Sequence, residues 1–191
     1  TNLVEFSQGL VSLFTYNANL RGIQIKLEMP EKPVNAWIDR NKLDKAIANL
    51  LSNAFKYTPN GGEIIFRIEK QANKVLLYVI DSGKGLGKND DGKTLFERFY
   101  QGKNSTDMHL DGSGIGLNLC RSIVRLHGGD VYARNREDGK SGACFIIELP
   151  LGKEHLKVSQ ICSGYEESRK KQPRSAAGRN SKILLVDDDI E

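Results

Sequence analysis

The sequence predicts an α/β fold, on three observations that interleave along its first 151 residues. Apolar residues recur at helical spacing in three stretches. Short alternating or continuous apolar runs, bounded by turn residues, read as strands between them. Gly, Pro and Asn clusters punctuate the boundaries.

The elements follow in order. Phe6, Leu10, Leu13, Phe14 and Tyr16 recur at near-helical spacing, which predicts a helix over 5–21. Residues 23–27 alternate like a strand, and a shorter strand is expected at Ala36-Trp37-Ile38. A long helix then runs from Asp39, whose carboxylate can cap the first turn, to Tyr57, where Pro59 and Asn60-Gly61-Gly62 stop it. Residues 63–69 and 74–80 read as strands joined by a short polar turn. The stretch 81–115 is rich in Gly, Asp, Asn and Lys, broken by Leu95-Phe96-Glu97-Arg98-Phe99-Tyr100, and a loop of that length is usually functional or mobile. A helix over 116–126 ends at His127-Gly128-Gly129, and strands over 130–135 and 143–149 close the unit at Pro150. After Leu151 the apolar density falls, so 152–181 reads as a linker. The run 182–191, Lys-Ile-Leu-Leu-Val-Asp-Asp-Asp-Ile-Glu, has the pattern of a buried strand ending in acids, the expected first strand of a second, truncated domain.

With 39% apolar and 27% charged residues, the 191-residue chain can bury a sizeable core. Its net charge of +4 is too mild to imply nucleic acid, and part of the basic excess lies in the linker at Arg169, Lys170, Lys171, Arg174 and Arg179. Cys120, Cys144 and Cys162 are odd in number and show no C-x-x-C pairing. They argue against a zinc site or a disulfide framework and suit a reducing compartment. No apolar run approaches the roughly 18 residues of a membrane span, and the amino end carries no secretory signal. A cytoplasmic setting without membrane contact is expected, and the abrupt start at Thr1 reads as a piece of something longer.

Three motifs carry chemistry. On the 39–57 helix, Leu43, Ile47, Leu50, Leu51 and Ala54 fall on one side and Asn49, Asn53 and Lys56 on roughly the opposite one. Two carboxamides a turn apart offer neutral oxygens for magnesium or its waters, and the lysine offers a point charge for phosphate. The plain alternative is a solvated polar face. Asp81-Ser82-Gly83-Lys84-Gly85-Leu86 follows an apolar strand. Its glycines let the backbone approach a flat ligand while the carboxylate accepts a hydrogen bond, and an adenine amine is such a donor. The alternative is an ordinary turn. Gly112-Ser113-Gly114-Ile115-Gly116-Leu117 enters a helix, where exposed amides and the helix dipole suit a polyphosphate. Its G-x-G-x-G spacing, after a loop, is unlike the dinucleotide fingerprint.

Residues 87–94 also spell G-x-x-x-x-G-K-[ST] letter for letter. A true P-loop is disfavoured there, because Asp90 and Asp91 would face the phosphates and the preceding strand ends too early.

Taken in order, these segments resemble the catalytic, ATP-binding domain of sensor histidine kinases, in the superfamily shared with gyrase, a heat-shock chaperone and a mismatch-repair ATPase. Over residues 1–151, the stretch 49–58 is similar to that family's asparagine box, 81–85 to its first glycine box, 95–100 to its phenylalanine box and 112–117 to its second glycine box. The resemblance implies a two-layer sandwich in which three helices cover one face of a mixed β-sheet. ATP would lie between the long helix and a lid over about 86–111, with Mg2+ on Asn53 assisted by Asn49, and Lys56 on the phosphates. Tyr57 would flank the nucleotide, Asp81 would take the adenine amine, Gly83 and Gly85 would shape that loop, and Gly112, Gly114, Gly116 and Leu117 would line the triphosphate. Phe96 and Phe99 would anchor the lid. Two departures stand out: Gln101 occupies a position often basic in the family, with Arg98 or Lys103 as substitutes, and Cys144 stands where a threonine often lies near adenine.

Hydrolytic relatives place a glutamate where this chain has Asn49, which takes no proton at neutral pH. The resemblance therefore implies transfer to a histidine on a separate dimerisation and phosphoacceptor domain rather than hydrolysis. His109, His127 and His155 lack the setting of an acceptor. The terminal Val186-Asp187-Asp188-Asp189 resembles the first strand of a response-regulator receiver domain, which implies a homodimeric, membrane-tethered hybrid sensor as the parent and a receiver or response regulator as partner. The competing reading is a nucleotide-responsive binding module without phosphotransfer.

Overall fold

The computed structural model describes residues 1–87, 92–98, 115–156 and 161, and every described element belongs to the compact unit Thr1–Lys157. Its elements are α1 (Leu3–Ser12), α2 (Thr15–Leu20), β1 (Gln24–Glu28), α3 (Arg40–Tyr57), β2 (Glu63–Lys70), β3 (Lys74–Asp81), a 3-10 turn at Thr94–Phe96, α4 (Ile115–Leu126), β4 (Asp130–Asn135) and β5 (Ala143–Pro150). The strands form one mixed sheet in the order β1-β2-β3-β5-β4, with β1 parallel to β2 and the remaining pairs antiparallel.

Alternation along the strands sorts their side chains onto two faces. Ile64, Phe66, Ile68, Val75, Leu77, Val79, Val131, Ala133, Ala143, Phe145, Ile147 and Leu149 point into the cluster that the helices cover. Ile65, Leu76, Tyr78, Ile80, Cys144 and Ile146 form a smaller cluster on the other face. The two-layer α/β sandwich expected from the sequence is therefore the observed fold.

The long helix α3 holds the layers together. Leu43, Ala46, Ile47, Leu50, Leu51, Ala54 and Phe55 are buried along it, and each large side chain contributes about 1.5–3 kcal/mol. Asp39 caps its first turn, accepting from the Lys42 amide at 3.2 Å. Its last turn is closed by Arg21, whose guanidinium donates to the carbonyls of Phe55 at 2.5 Å and Thr58 at 2.6 Å. Those carbonyls have no partner inside the helix.

Two expectations fail at the amino end. The single helix over 5–21 is two helices broken at Leu13-Phe14, where the amides turn back to Leu10 and Val11 in i→i+3 bonds. The break lets Phe14 stack on Phe55 at 5.3 Å and leaves Leu13 and Tyr16 exposed, so the apolar spacing there did not mark one continuous buried face. The strand at 36–38 does not form either. Val34 and Ala36 instead exchange hydrogen bonds with Thr1 and Leu3, around a bridge between Asn2 and Asn35. Among the described residues no helix is long and apolar enough to cross a membrane.

Candidate functional site

Asp81 is the last residue of β3, and the residue is only 2% exposed. One carboxylate oxygen accepts from the Gly83 amide at 2.8 Å and the Ala143 amide at 3.1 Å. Burial pushes its carboxyl pKa upward, against the pull of those two amides and of the Arg136 charge. The chain then turns through Gly83, where a Cβ would lie 2.5 Å from the Tyr57 carbonyl oxygen. At Gly85 φ is +76°, and a Cβ would meet the Asn135 carboxamide at 2.6 Å. Both glycines of the motif are thus required by close approach.

The hairpin between β4 and β5 grips this loop. Asn135 accepts from the Leu86 amide at 2.6 Å and donates to its carbonyl at 3.3 Å. The Ser141 hydroxyl donates to the Gly83 carbonyl at 2.6 Å, and Arg136 donates to the Asp81 carbonyl at 3.3 Å. Ser82 pairs with Glu63 at the head of β2. Sequence reading missed Asn135, Arg136 and Ser141, because their roles depend on β5 folding back beside β3, a pairing with no local signal.

Along α3, Asn49, Asn53 and Lys56 are half-buried on one face. At one end of that face α4 begins, and a Cβ on Gly116 would lie 3.3 Å from the Asn49 side-chain oxygen. At the other end the Tyr57 carbonyl meets Gly83, two residues from Asp81. Asn49 and Tyr57 are about 12 Å apart along the helix axis, a length suited to a nucleotide's sugar and phosphates. The ammonium groups of Lys56 and Lys84 stand 5.3 and 5.7 Å from the Tyr57 ring centroid. The face of α3 that carries Asn49, Asn53 and Lys56 thus meets Gly116 at one end and, through the Tyr57 carbonyl, the Gly83 turn after Asp81 at the other, while Gly85 packs on the hairpin.

Phe96 is fully buried, edge-on to Phe145 at 6.3 Å, and its carbonyl accepts from Asn118 of α4 at 3.1 Å. Phe99, Gln101, Lys103, His109, Gly112 and Gly114 lie outside the described residues, as do 157–160 and 162–191. Leu117 is half-buried against the core. The P-loop reading fails on the part that is described. Gly92 packs on β4, accepting from the Ala133 amide at 3.0 Å, and Thr94 opens a three-residue 3-10 turn where a P-loop needs a full helix.

Cys144 requires a correction. Its register partner is Ile80, and its side chain belongs to the cluster on the face away from the helices, beside Arg134 and Arg67. Successive strand residues face opposite ways, so the residue aimed at Asp81 is Ala143, one position earlier. Cys144 does not face the site, and Ala143 offers it an amide and a methyl without a hydroxyl.

Among the described residues no group of three or more His, Cys, Asp or Glu side chains is arranged to hold a metal. The donors on the α3 face are carboxamides, which fits an ion that keeps several waters and is carried largely by phosphate oxygens, as magnesium is. The missing side chains at Gly83 and Gly116 let the loop after β3 and the start of α4 pack directly against α3.

Residues 38–153 match the family described as histidine kinase-, DNA gyrase B-, and HSP90-like ATPases. The sensor histidine kinase WalK of Bacillus subtilis is 36% identical over 154 residues, 80% of this chain and 24% of that protein. Histidine kinase P4 of Formosa agariphila is 33% identical over 171 residues, 87% of this chain and 12% of its own length. The chain thus spans a quarter or less of these curated relatives. Among solved structures, the catalytic domain of histidine kinase ThkA superposes with a TM-score of 0.70 at 28% identity, covering 82% of this chain and 97% of that one. ThkA has also been solved in complex with the response regulator protein TrrA, at a TM-score of 0.68 and 26% identity, covering 81% of this chain and 42% of that one.

Proposed function

Since the chain belongs to the histidine kinase-, DNA gyrase B-, and HSP90-like ATPase family, we propose that it binds ATP on the α3 face and donates the γ-phosphate to a histidine on the dimerisation and phosphoacceptor domain of its parent. In this reading Asp81 accepts from the adenine amine and Tyr57 flanks the base. Lys56 meets the phosphates, as does Gly116 at the start of α4, together with Gly112 and Gly114, which lie outside the described residues. Asn53, with Asn49 assisting, would hold Mg2+, which would supply charge neutralisation at the phosphates. Asn49 cannot act as a base, so water in the site is left unactivated and a protein nucleophile is favoured. Phe96, seated against Phe145 and Asn118, anchors one end of a lid over about 86–111, with Phe99 as a second anchor. The parent is a homodimeric, membrane-tethered sensor with this domain in the cytoplasm. Residues 152–181 link it to a receiver domain beginning at 182–191, and a receiver or response regulator takes the phosphate onward.

The observation that carries the proposal is the convergence on one helix face of the carboxamides, the lysine and, through Gly83, the buried Asp81. The test mixes the chain with the parent's phosphoacceptor domain and γ-labelled ATP. Acid-labile, base-stable label on the acceptor is expected, lost in Asn53→Ala with ATP affinity reduced. Normal ATP affinity without any labelled acceptor would sink the transfer reading and leave a nucleotide-binding module.

A further inference from the structure

The Arg136 side chain is only 4% exposed. A guanidinium withdrawn from water needs several well-placed partners. Nε and Nη2 donate to the two carboxylate oxygens of Asp138 at 3.1 and 2.6 Å. Nη1 donates to the Asp81 carbonyl at 3.3 Å and stands 3.6 Å from a Glu63 carboxylate oxygen. One side chain therefore joins the hairpin, the end of β3 and the head of β2. Gly142, at φ +135°, clears its path, since a Cβ there would lie 2.8 Å from Arg136 Cδ and 1.9 Å from the Asp81 carbonyl oxygen.

We propose that Arg136 is a positioning residue for nucleobase recognition: it fixes the backbone of Asp81 and keeps the Asp81 carboxylate aimed at the base. The inference rests on the reading that Asp81 accepts from the adenine amine. Arg136 sits on the protein side of Asp81, bonded to its main chain, so it acts through Asp81. The charged groups around this corner are Glu63 from β2 with its ion-pair partner Lys26 from β1, Lys56 from α3, Lys84 from the loop, and Asp138 and Lys140 from the hairpin. Glu63 and Asp138 are engaged by Arg136 itself, and Lys56 and Lys84 stand over Tyr57. Arg136 is the charge that opposes the upward push of burial on the Asp81 carboxyl. Removing it leaves a buried carboxylate that protonates more readily and a main chain held at one point fewer.

The test compares dissociation constants for ATP and for purine riboside triphosphate, which keeps the ring and phosphates but lacks the exocyclic amine, between pH 5 and 8. The wild-type chain should prefer ATP, and Asp81→Asn should reduce the preference. Arg136→Met should cut it about tenfold and move the acidic limb of ATP binding to higher pH, with the analogue's affinity nearly unchanged. Arg136→Lys keeps the charge without the fork, so it should restore the limb more than the preference. It also decides the matter should the Met variant not fold: an unchanged preference in Arg136→Lys overturns the proposal. Equal weakening of both nucleotides in Arg136→Met, or an unchanged preference and pH profile, overturns it while leaving the Asp81 reading intact. A wild-type chain indifferent to the amine removes both.

Discussion

Asp81 is held in a conflict between burial and charge. A carboxylate on a residue that is 2% exposed costs stability, and its raised pKa records that cost. The sign follows from the direction of the shift. A carboxyl raised in the folded state contributes its stability below the unfolded pKa and loses it as pH rises through the folded value. At neutral pH the ionised group therefore works against the fold. Asp81→Asn keeps an oxygen for the Gly83 and Ala143 amides while removing the charge. Urea unfolding of the ligand-free protein should show the variant at least as stable as wild type at pH 7, with the difference narrowing in acid. Its ATP affinity should fall about 10- to 100-fold, the size of a hydrogen bond to a charged group. A variant that is less stable at pH 7 and binds ATP normally would show that Asp81 is only scaffold. In the sequence an acid closing an apolar strand before two glycines reads equally as an ordinary turn; its burial and its bonds to the Gly83 and Ala143 amides appear only in the fold. Cys144 was misread because a one-residue offset on a strand exchanges the faces, and composition does not carry register.

At the scale of elements, the site depends on one helix pinned at both ends. At the amino end the Asp39 amide donates to His127 Nε2 at 2.9 Å, and His127 Nδ1 in turn donates to the Ile123 carbonyl at 2.8 Å. A residue expected only to end α4 thus ties the start of α3 to α4. At the carboxyl end Arg21 takes the Phe55 and Thr58 carbonyls and also donates to the Asn60 side chain at 2.9 Å. That end carries Tyr57 and meets Gly83, so its position sets how the helix face lines up with Asp81. Arg21→Met keeps much of the apolar stem but strands two partly buried carbonyls, which should lower the unfolding free energy by about 1–3 kcal/mol. ATP affinity should weaken with it, although Arg21 is not placed in the nucleotide site. Unchanged denaturant midpoint and slope in this variant would mean that water replaces the cap at no cost. Helix limits were readable from Asp39 and Pro59, whereas Arg21 and His127 act across 34 and 88 residues of separation and left no local trace.

For the folded unit as a whole, what the sequence disclosed and what it hid divide along the same line. Periodicity located α3 and α4 because each buries one stripe, and β3 and β5 showed as continuous apolar runs because both of their faces are buried. The kink at Leu13-Phe14 and the loss of the 36–38 strand came from tertiary contacts, the stack on Phe55 and the pairing of Val34 and Ala36 with Thr1 and Leu3. The three motifs described in whole or part meet at α3, while the hairpin that grips the loop after Asp81 emerged only with the sheet order β3-β5-β4. That arrangement makes a prediction about the unit. The proposed ligand touches α3, the loop after β3 and the start of α4 at once, so it should stabilise the native state against global unfolding rather than order one segment. A ligand that binds only the folded state adds about 2.7 kcal/mol at 100 times its dissociation constant. For a unit of this size that is a rise of roughly 5–10 °C in Tm. Calorimetry should show such a rise with ATP and Mg2+, a smaller one with ATP and a chelator, and in Asn53→Ala little difference between the two. A Tm unmoved by saturating ATP in wild type would show that these elements do not share a ligand, and the phosphotransfer proposal would go with it.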